Sequence, residues 1–296
     1  MAHNHSHNHS SGGIKYGKAF AIGIALNLIF IVVEVIYGLA ANSSALLADA
    51  GHNASDVLSL FFAWGAAWIA LRKPSGKYTY GLRRITILVS LLNAILLLIA
   101  VALILIEAIE KIQNPSEIAG GTVMIVAGIG VIINGVTAMM FMKGQKEDLN
   151  IKGAFLHMAA DAGVSLGVVI AGLLIMLFNI LWIDPMMSFV IVAVILYSTW
   201  GLLVDSLNLA LDAVPKDIDV QKVRSYLDSV KGVEDVHDLH IWAMSTTQIA
   251  LTAHLVVPEG YSDNFIVDIR EELEKKFGII HTTLQVEKSG ANCDCC

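Results

Sequence analysis

The sequence predicts an α-helical membrane protein, with six transmembrane helices followed by a cytoplasmic α-β-β-α-β domain. Composition is the first observation behind this prediction, because 56% of the 296 residues are hydrophobic and only 15% are charged. A typical soluble domain has about 25% charged residues, so this chain has too few to cover a soluble surface. The second observation is the order of segments. Long apolar runs fill the chain to about residue 211, and a charged, amphipathic segment follows.

Four apolar runs approach or exceed the ~20 residues that a membrane-spanning helix needs. They are residues 85–106, 118–142, 162–183 and 185–204. Two earlier runs, residues 18–38 and 44–71, contain a few ionisable side chains but are otherwise apolar. We interpret both as spanning helices, which gives six spans in total.

Lysine and arginine near the span ends predict the orientation of the chain. Five of them lie in the loop of residues 72–84, three lie between residues 143 and 152, and two precede the first span. On the other side of the membrane only Lys111 is found. Both termini are therefore expected in the cytoplasm.

The segment after the last span shows two periodicities. Apolar residues recur at helical spacing in residues 220–230 and 265–277, and they alternate as in half-buried strands in residues 249–257 and 280–286. With residues 236–244 as a further strand, two helices are expected on a three-stranded sheet. The predicted organisation is a His-rich tail at 1–14, a membrane domain at 15–211, a cytoplasmic domain at 212–288 and a Cys-containing tail at 289–296.

Two spans carry the same pair of polar side chains. His52 and Asp56 lie in the second span, and His157 and Asp161 belong to the fifth. A His-x-x-x-Asp spacing stacks both side chains on one helix face. Ionisable groups inside a bilayer are costly and are functional candidates by default. Two imidazoles and two carboxylates make a four-ligand set suited to tetrahedral Zn²⁺. The alternative, in which each His merely pairs with its own Asp, is disfavoured by the duplication.

Two further acidic side chains lie in the spans. Asp49 precedes His52 by one turn, and the sequence leaves open whether it supports a ligand, lines an entrance or itself binds the metal. Glu34 in the first span is either a proton carrier or a carboxylate near the outer interface, where an ionised side chain costs little free energy. We favour the interface for Glu34.

Three separated motifs resemble the cation diffusion facilitator family, and most closely its zinc-transporting branch in a prokaryotic form. Residues 47–56 read LADAGHNASD and resemble the family's second-span signature. Residues 77–81 and Arg83 resemble the loop that follows, and HDLHIW at 237–242 resembles the signature of the cytoplasmic domain. The resemblance covers about residues 15–287. It implies a homodimer in the cytoplasmic membrane that is not an enzyme and that exports divalent metal in exchange for protons.

The resemblance also assigns metal ligands. It places the transport site on His52, Asp56, His157 and Asp161, and a histidine at the first of these positions favours Zn²⁺. It further implies a zinc site in the cytoplasmic metal-binding and dimerisation domain. The expected cytoplasmic ligands are His237, His254, His281, Glu287, Cys293 and Cys296.

The resemblance supplies His237 and His254, and strand and tail spacing supports the other four residues. His281 and Glu287 are six residues apart on the last strand, so they share a face. The cysteines form a Cys-x-x-Cys tail just beyond. His240 is expected on the opposite face from His237, as a packing residue near Trp242.

The remaining features bound the function. His3, His5, His7 and His9 alternate with Asn and Ser, and weak metal capture is expected of them. A net charge of −7 without a long basic run argues against nucleic acid as a partner. Two other functions stay open, a membrane-embedded zinc hydrolase and a metal sensor that does not transport. Catalytic zinc keeps an open coordination position, which two complete His-Asp pairs do not leave.

Overall fold

The computed structural model describes residues 12–142, 149–262 and 264–288 of the chain. Within these ranges the chain forms eight helices and three strands. It divides into two compact units. The first unit comprises the residues up to Leu60 together with Leu96–Thr199, and the second comprises Phe61–Ile95 and the residues from Trp200 onward.

Six long helices come first in the chain. They are α1 (Gly12–Ala40), α2 (Ser44–Ala70), α3 (Ile85–Gln113), α4 (Gly120–Phe141), α5 (Leu149–Phe178) and α6 (Ile183–Ala210). Five of them, all except α2, are long and apolar enough to cross a membrane. The 27 residues of α2 extend about 40 Å, which is ample for a span. Polar side chains in its first half lower its mean hydropathy, and they include two of the predicted ligands.

The fifth helix differs from the apolar run that predicted it. The apolar run at residues 162–183 covers only part of this helix, because α5 extends from Leu149 to Phe178 and contains His157 and Asp161, as expected of the fifth span. Asn179 has a φ of 54°, and this left-handed conformation ends the helix. Pro185 then falls in the first turn of α6, where a missing backbone N–H leaves no helical bond unmade.

Close contact between α4 and α5 fixes the position of α5 in the first unit. A Cβ atom added to Gly172 would lie 2.7 Å from the backbone nitrogen of Met124, and one added to Gly120 would lie 2.7 Å from the carbonyl oxygen of Gly172. Small residues of this kind let helix backbones approach closely inside a membrane. The surrounding core includes Phe30, Leu46 and Val123.

Asp184 fixes the start of α2. Its Oδ2 accepts hydrogen bonds from the backbone nitrogen of Ser44 at 2.7 Å and from the Ser44 hydroxyl at 2.8 Å, and its Oδ1 accepts one from the Ser43 hydroxyl. The carboxylate thereby satisfies backbone donors in the first turn of α2 and complements the helix dipole. This contact holds the N-terminal end of α2 against the first turn of α6.

The cytoplasmic domain has the predicted α-β-β-α-β order. Its elements are α7 (Val220–Asp228), β1 (Asp235–Ala243), β2 (Ile249–Val256), α8 (Phe265–Phe277) and β3 (Ile279–Glu287). The sheet order is β1-β2-β3, with β1 antiparallel to β2 and β2 parallel to β3. Leu227 of α7 and Leu273 of α8 share a buried core with Leu251 and Leu255 of β2. The helices therefore cover one face of the sheet.

Candidate metal centres

The membrane-spanning cluster is formed by two helix faces in the first unit. Within each His-x-x-x-Asp pair the nitrogen-to-oxygen distances are 4.0 Å for His52 to Asp56 and 3.6 Å for His157 to Asp161. Between helices they are shorter. His52 Nε2 lies 3.4 Å from Asp161 Oδ1, and His157 Nε2 lies 3.2 Å from Asp56 Oδ2. The structure therefore brings all four predicted residues together.

The histidine-to-carboxylate distances of this cluster resemble those around a tetrahedral ion, and His52, Asp56 and Asp161 have ligand atoms within 4.8 Å of one another. Bonds near 2.0 Å to a tetrahedral Zn²⁺ place two ligand atoms about 3.3 Å apart. The four distances between histidine nitrogens and carboxylate oxygens, 3.2–4.0 Å, lie around that value. Asp56 Oδ2 and Asp161 Oδ2 are buried, and neither accepts a hydrogen bond of good geometry within the described part of the chain. Both oxygens are thus available to a cation.

A cavity of about 400 Å³ adjoins the cluster in the same unit. Asp56 and His157 line it on one side, and Asn27 of α1 and Thr137 of α4 line it on another. The His157 side chain is 43% exposed, whereas the Asp161 side chain is only 2% exposed. An ion in this cavity therefore meets Asp56 and His157 before it reaches Asp161.

Glu34 is not solvated as an interfacial carboxylate would be, because its side chain is fully buried. The Asn53 side-chain amide donates a hydrogen bond to Glu34 Oε2 at 3.1 Å. Glu34 follows the buried Phe30 by one helical turn and so shares its inward face. Since nearly every side chain of α1 is apolar, the sequence did not indicate which face is inward. Asp49 is also fully buried, and its Oδ2 accepts a hydrogen bond from the Ser165 hydroxyl at 3.0 Å.

A second cluster lies on the sheet face that the helices leave open. His237 and His254 are directly paired across β1 and β2, with ring centroids 5.2 Å apart. Glu287 Oε1 lies 3.1 Å from His254 Nδ1, and Glu287 Oε2 lies 3.6 Å from His237 Nε2. His237 Nε2, His254 Nδ1 and Glu287 Oε2 are buried without a well-formed hydrogen bond among the residues described. Two imidazoles and a carboxylate in this arrangement fit a zinc ion.

A β-bulge in β1 brings one more carboxylate to this cluster. The pairing shifts from His237 opposite His254 to His240 opposite Thr252, so β1 contains one extra residue at this point. Asp238 occupies the bulge with a φ of 51°. Its Oδ2 lies 3.5 Å from His254 Nε2. Sequence reasoning missed Asp238 because strict alternation places it on the opposite face from His237.

The same bulge corrects the prediction for His240. Because one residue is inserted, His240 lies on the same sheet face as His237. Its side chain is 55% exposed, and its Nε2 lies 2.9 Å from Asp238 Oδ1. His240 is therefore a polar neighbour of the cluster and not a packing residue of the opposite face.

His281 does not join the cluster. It is paired with Ala250, four residues along β2 from His254, which corresponds to about 13 Å. Its ring instead contacts that of Tyr80, with centroids 5.4 Å apart. A shared strand face does not by itself make two residues ligands of one ion. Six residues of strand separate His281 from Glu287 by about 20 Å. Cys293 and Cys296, and the histidines at positions 3, 5, 7 and 9, lie outside the described residues.

Comparison with known proteins supports the assignment of both domains. The family profile for the cation efflux transmembrane domain matches residues 20–209, and the profile for the cation efflux protein cytoplasmic domain matches residues 215–289. The chain is 35% identical over 294 residues to the cadmium, cobalt and zinc/H(+)-K(+) antiporter of Bacillus subtilis (strain 168), with 97% of this chain and 94% of that protein covered. It is 34% identical over 293 residues to the zinc transporter ZitB of Escherichia coli (strain K12), with 97% and 93% covered.

One solved structure among those similar is the metal-bound C-terminal domain of the CzcD transporter from Cuprividus metallidurans. It is 32% identical, and the match covers 24% of this chain and 99% of that chain with a TM-score of 0.22.

The chain therefore belongs to the cation efflux family, the cation diffusion facilitators that its motifs resemble. It is an integral membrane protein whose relatives are metal-ion transporters. The family and these relatives are metal-ion transporters and not enzymes, which sets aside the zinc hydrolase.

Proposed function

We propose that this protein exports Zn²⁺ from the cytoplasm in exchange for protons, through a four-ligand site of His52, Asp56, His157 and Asp161. The observation that carries the proposal is the pair of contacts between helices, 3.4 Å from His52 to Asp161 and 3.2 Å from His157 to Asp56. Because α2 and α5 each supply two ligands, any displacement of one helix against the other changes the coordination of a bound ion. Alternating access needs a site of this kind.

The ligand types support zinc as the cargo. Imidazole nitrogen suits Zn²⁺ and similar transition-metal ions, whereas Mg²⁺ and Ca²⁺ prefer sites built entirely of oxygen. Relatives named for zinc, cadmium and cobalt fit the same preference. Two carboxylates bring two negative charges, which balance the charge of one divalent ion.

Proton coupling follows from the chemistry of the ligands. Metal ligation requires neutral imidazole and ionised carboxylate, so binding at the cytoplasmic side releases protons. Protons from the opposite side then compete for the same nitrogen and oxygen atoms and displace the metal. A relative named as an antiporter supports exchange of this kind.

The cavity beside Asp56 and His157 is assigned as the cytoplasmic route to the site, with both termini in the cytoplasm. The lysine and arginine residues of the loop at 72–84 and of the segment at 143–152 support this orientation.

The cytoplasmic domain is assigned a resident zinc ion and a role in homodimer formation. His237, His254 and Glu287 would hold the ion, and Asp238 lies within reach as a further oxygen donor. Zinc there would cross-link β1, β2 and β3 and so stabilise the domain. Because this cluster is separate from the membrane-spanning site, a metal sensor without transport is the second candidate function.

The deciding experiment is zinc flux in proteoliposomes with and without an imposed pH gradient. The test variant is the double substitution His52→Ala/Asp161→Ala. The matched control is His281→Ala/Asp228→Ala, which removes one histidine and one aspartate outside both clusters. We expect gradient-dependent flux from the wild-type protein and the control, and background flux from the test variant. Zinc binding without flux in the wild-type protein would contradict transport and favour the sensor.

A further inference from the structure

Glu34 of α1 and Asp49 of α2 are buried carboxylates of the first unit that do not belong to the four-ligand site. Both side chains are 0% exposed. Each accepts a hydrogen bond from a neutral side chain, Glu34 from Asn53 and Asp49 from Ser165. The other oxygen of each carboxylate, Glu34 Oε1 and Asp49 Oδ1, accepts no hydrogen bond within the described residues.

The two carboxylates are neighbours, because Asn53, whose amide binds Glu34, lies one helical turn from Asp49 on the same face of α2. No lysine or arginine of the described chain forms an ion pair with either one. The helix α4, which packs against α1, contains no titratable side chain. The charged group facing Glu34 is Asp49, and those facing Asp49 are Glu34, His52 and Asp161.

Such a pair cannot remain fully ionised without a positive charge nearby. Each carboxylate has lost its hydration, and the two negative charges repel each other at short range. One proton held between them removes the repulsion and supplies a donor for an oxygen that otherwise has none. Two carboxyl groups that share a site characteristically hold one proton between them.

We propose that Glu34, facing Asp49, holds an exchangeable proton that leaves when metal binds to the four-ligand site and returns when the metal departs. This inference rests on the proposed function and adds a proton-binding site separate from the metal ligands. Protons are conserved over one transport cycle. Metal binding releases the proton to water on one side, and the carboxylate pair takes up a proton from the other side after the metal has left.

Electrostatic repulsion links the two sites. A divalent ion beside His52 and Asp161 brings two positive charges about one helical turn from Asp49, and this favours the ionised form of the carboxylate pair. The coupling is reciprocal, so a proton on the pair weakens metal binding by the same factor. Asp49 also lies nearer than His52 to the end of α2 capped by Asp184. In the proposed orientation that end faces the side from which protons enter.

The test counts protons released as zinc binds. Purified full-length protein in weakly buffered detergent solution is titrated with zinc chloride at several pH values, and a pH indicator records the release. We expect Glu34→Gln to release about one proton fewer per zinc ion than the wild-type protein. The zinc dissociation constant of the variant should also depend less steeply on pH, by about a factor of ten per pH unit. The reason is that the slope of its logarithm against pH equals the number of protons released on binding. The matched control is Glu107→Gln, which removes a carboxylate paired with Lys111. It should match the wild-type protein.

The outcomes separate this inference from the proposed function. A Glu34→Gln protein that binds zinc with an unchanged proton count overturns the inference and leaves transport intact. If zinc flux by the wild-type protein does not depend on the pH gradient, the proposed coupling is overturned, whatever the variants do. If Glu34→Gln does not fold, the infrared difference spectrum on zinc binding decides. A protonated-carboxyl band that zinc removes and that Asp49→Asn alters supports the inference, and a spectrum that Asp49→Asn leaves unchanged overturns it.

Discussion

His157 Nε2 lies closer to Asp56 of the neighbouring helix, at 3.2 Å, than to Asp161 of its own helix, at 3.6 Å. The same holds for His52, whose Asp161 contact is shorter than its contact with Asp56. The four side chains therefore form a ring of alternating imidazoles and carboxylates across two helices. In this arrangement each ligand depends on both helices for its position.

Exchange of His52 for a carboxylate should change which metals are carried. We expect His52→Asp to lower zinc flux relative to manganese flux by about tenfold, because oxygen donors favour the harder ion. Parallel flux measurements with the two metals in proteoliposomes provide the check. A matched His240→Asp variant, in which the altered histidine lies in the cytoplasmic domain, should leave the ratio unchanged. An unaltered ratio in His52→Asp would count against His52 as a ligand.

Loss of His254 should remove the cytoplasmic zinc. We expect His254→Ala to bind one zinc ion fewer per chain, since it deletes a nitrogen that lies 3.1 Å from Glu287. Asp238→Ala should weaken the same site by about 10- to 100-fold, the effect typical of a supporting partner of a metal ligand. Equilibrium dialysis of the full-length protein measures both effects. His281→Ala, which lies outside the cluster, should bind as the wild-type protein does, and weakened binding there would contradict this assignment.

Removal of metal should destabilise the cytoplasmic domain. Zinc at 100 times its dissociation constant adds about 2.7 kcal/mol to the free energy of unfolding, so a chelator should remove that amount. Thermal unfolding of the full-length protein with zinc and with chelator gives the comparison. His254→Ala should show a smaller difference between the two conditions than the wild-type protein, because only the membrane-spanning site then binds zinc. An equal unfolding temperature of the wild-type protein with zinc and with chelator would refute a structural role for the ion.

Removal of the Asp184 carboxylate should loosen the start of α2. Asp184→Ala deprives Ser43 and Ser44 of a buried acceptor, and loss of a helix cap costs about 1 kcal/mol. We expect a lower unfolding temperature in detergent, together with slower zinc flux because His52 lies two turns further along the same helix. The control is Asp217→Ala, outside the membrane-spanning helices. Flux and stability equal to those of the wild-type protein would show that the cap does not position the ligands.

Repeated spacing made the two His-Asp pairs predictable from the sequence, and alternation made the α-β-β-α-β order predictable. Three predictions about individual residues failed, each for a physical reason. Apolar runs do not reveal which face of a helix is inward, so Glu34 was placed at an interface. Strand periodicity gives the face of a residue but not its distance along the strand, so His281 was grouped with Glu287. Asp238 was missed for a third reason, because a left-handed residue interrupts the alternation without an apolar signal.

The bulge at Asp238 also determines what the strand tolerates during evolution. It lets consecutive residues, His237 and Asp238, approach the same histidine of β2, which a regular strand does not permit. Deletion of one residue there would remove the bulge and restore regular pairing, with His240 still opposite Thr252 and Ile241 still in the core. A relative that has no use for the metal can therefore lose this residue without disturbing the hydrophobic core, and the bulge is expected only where the second carboxylate is needed.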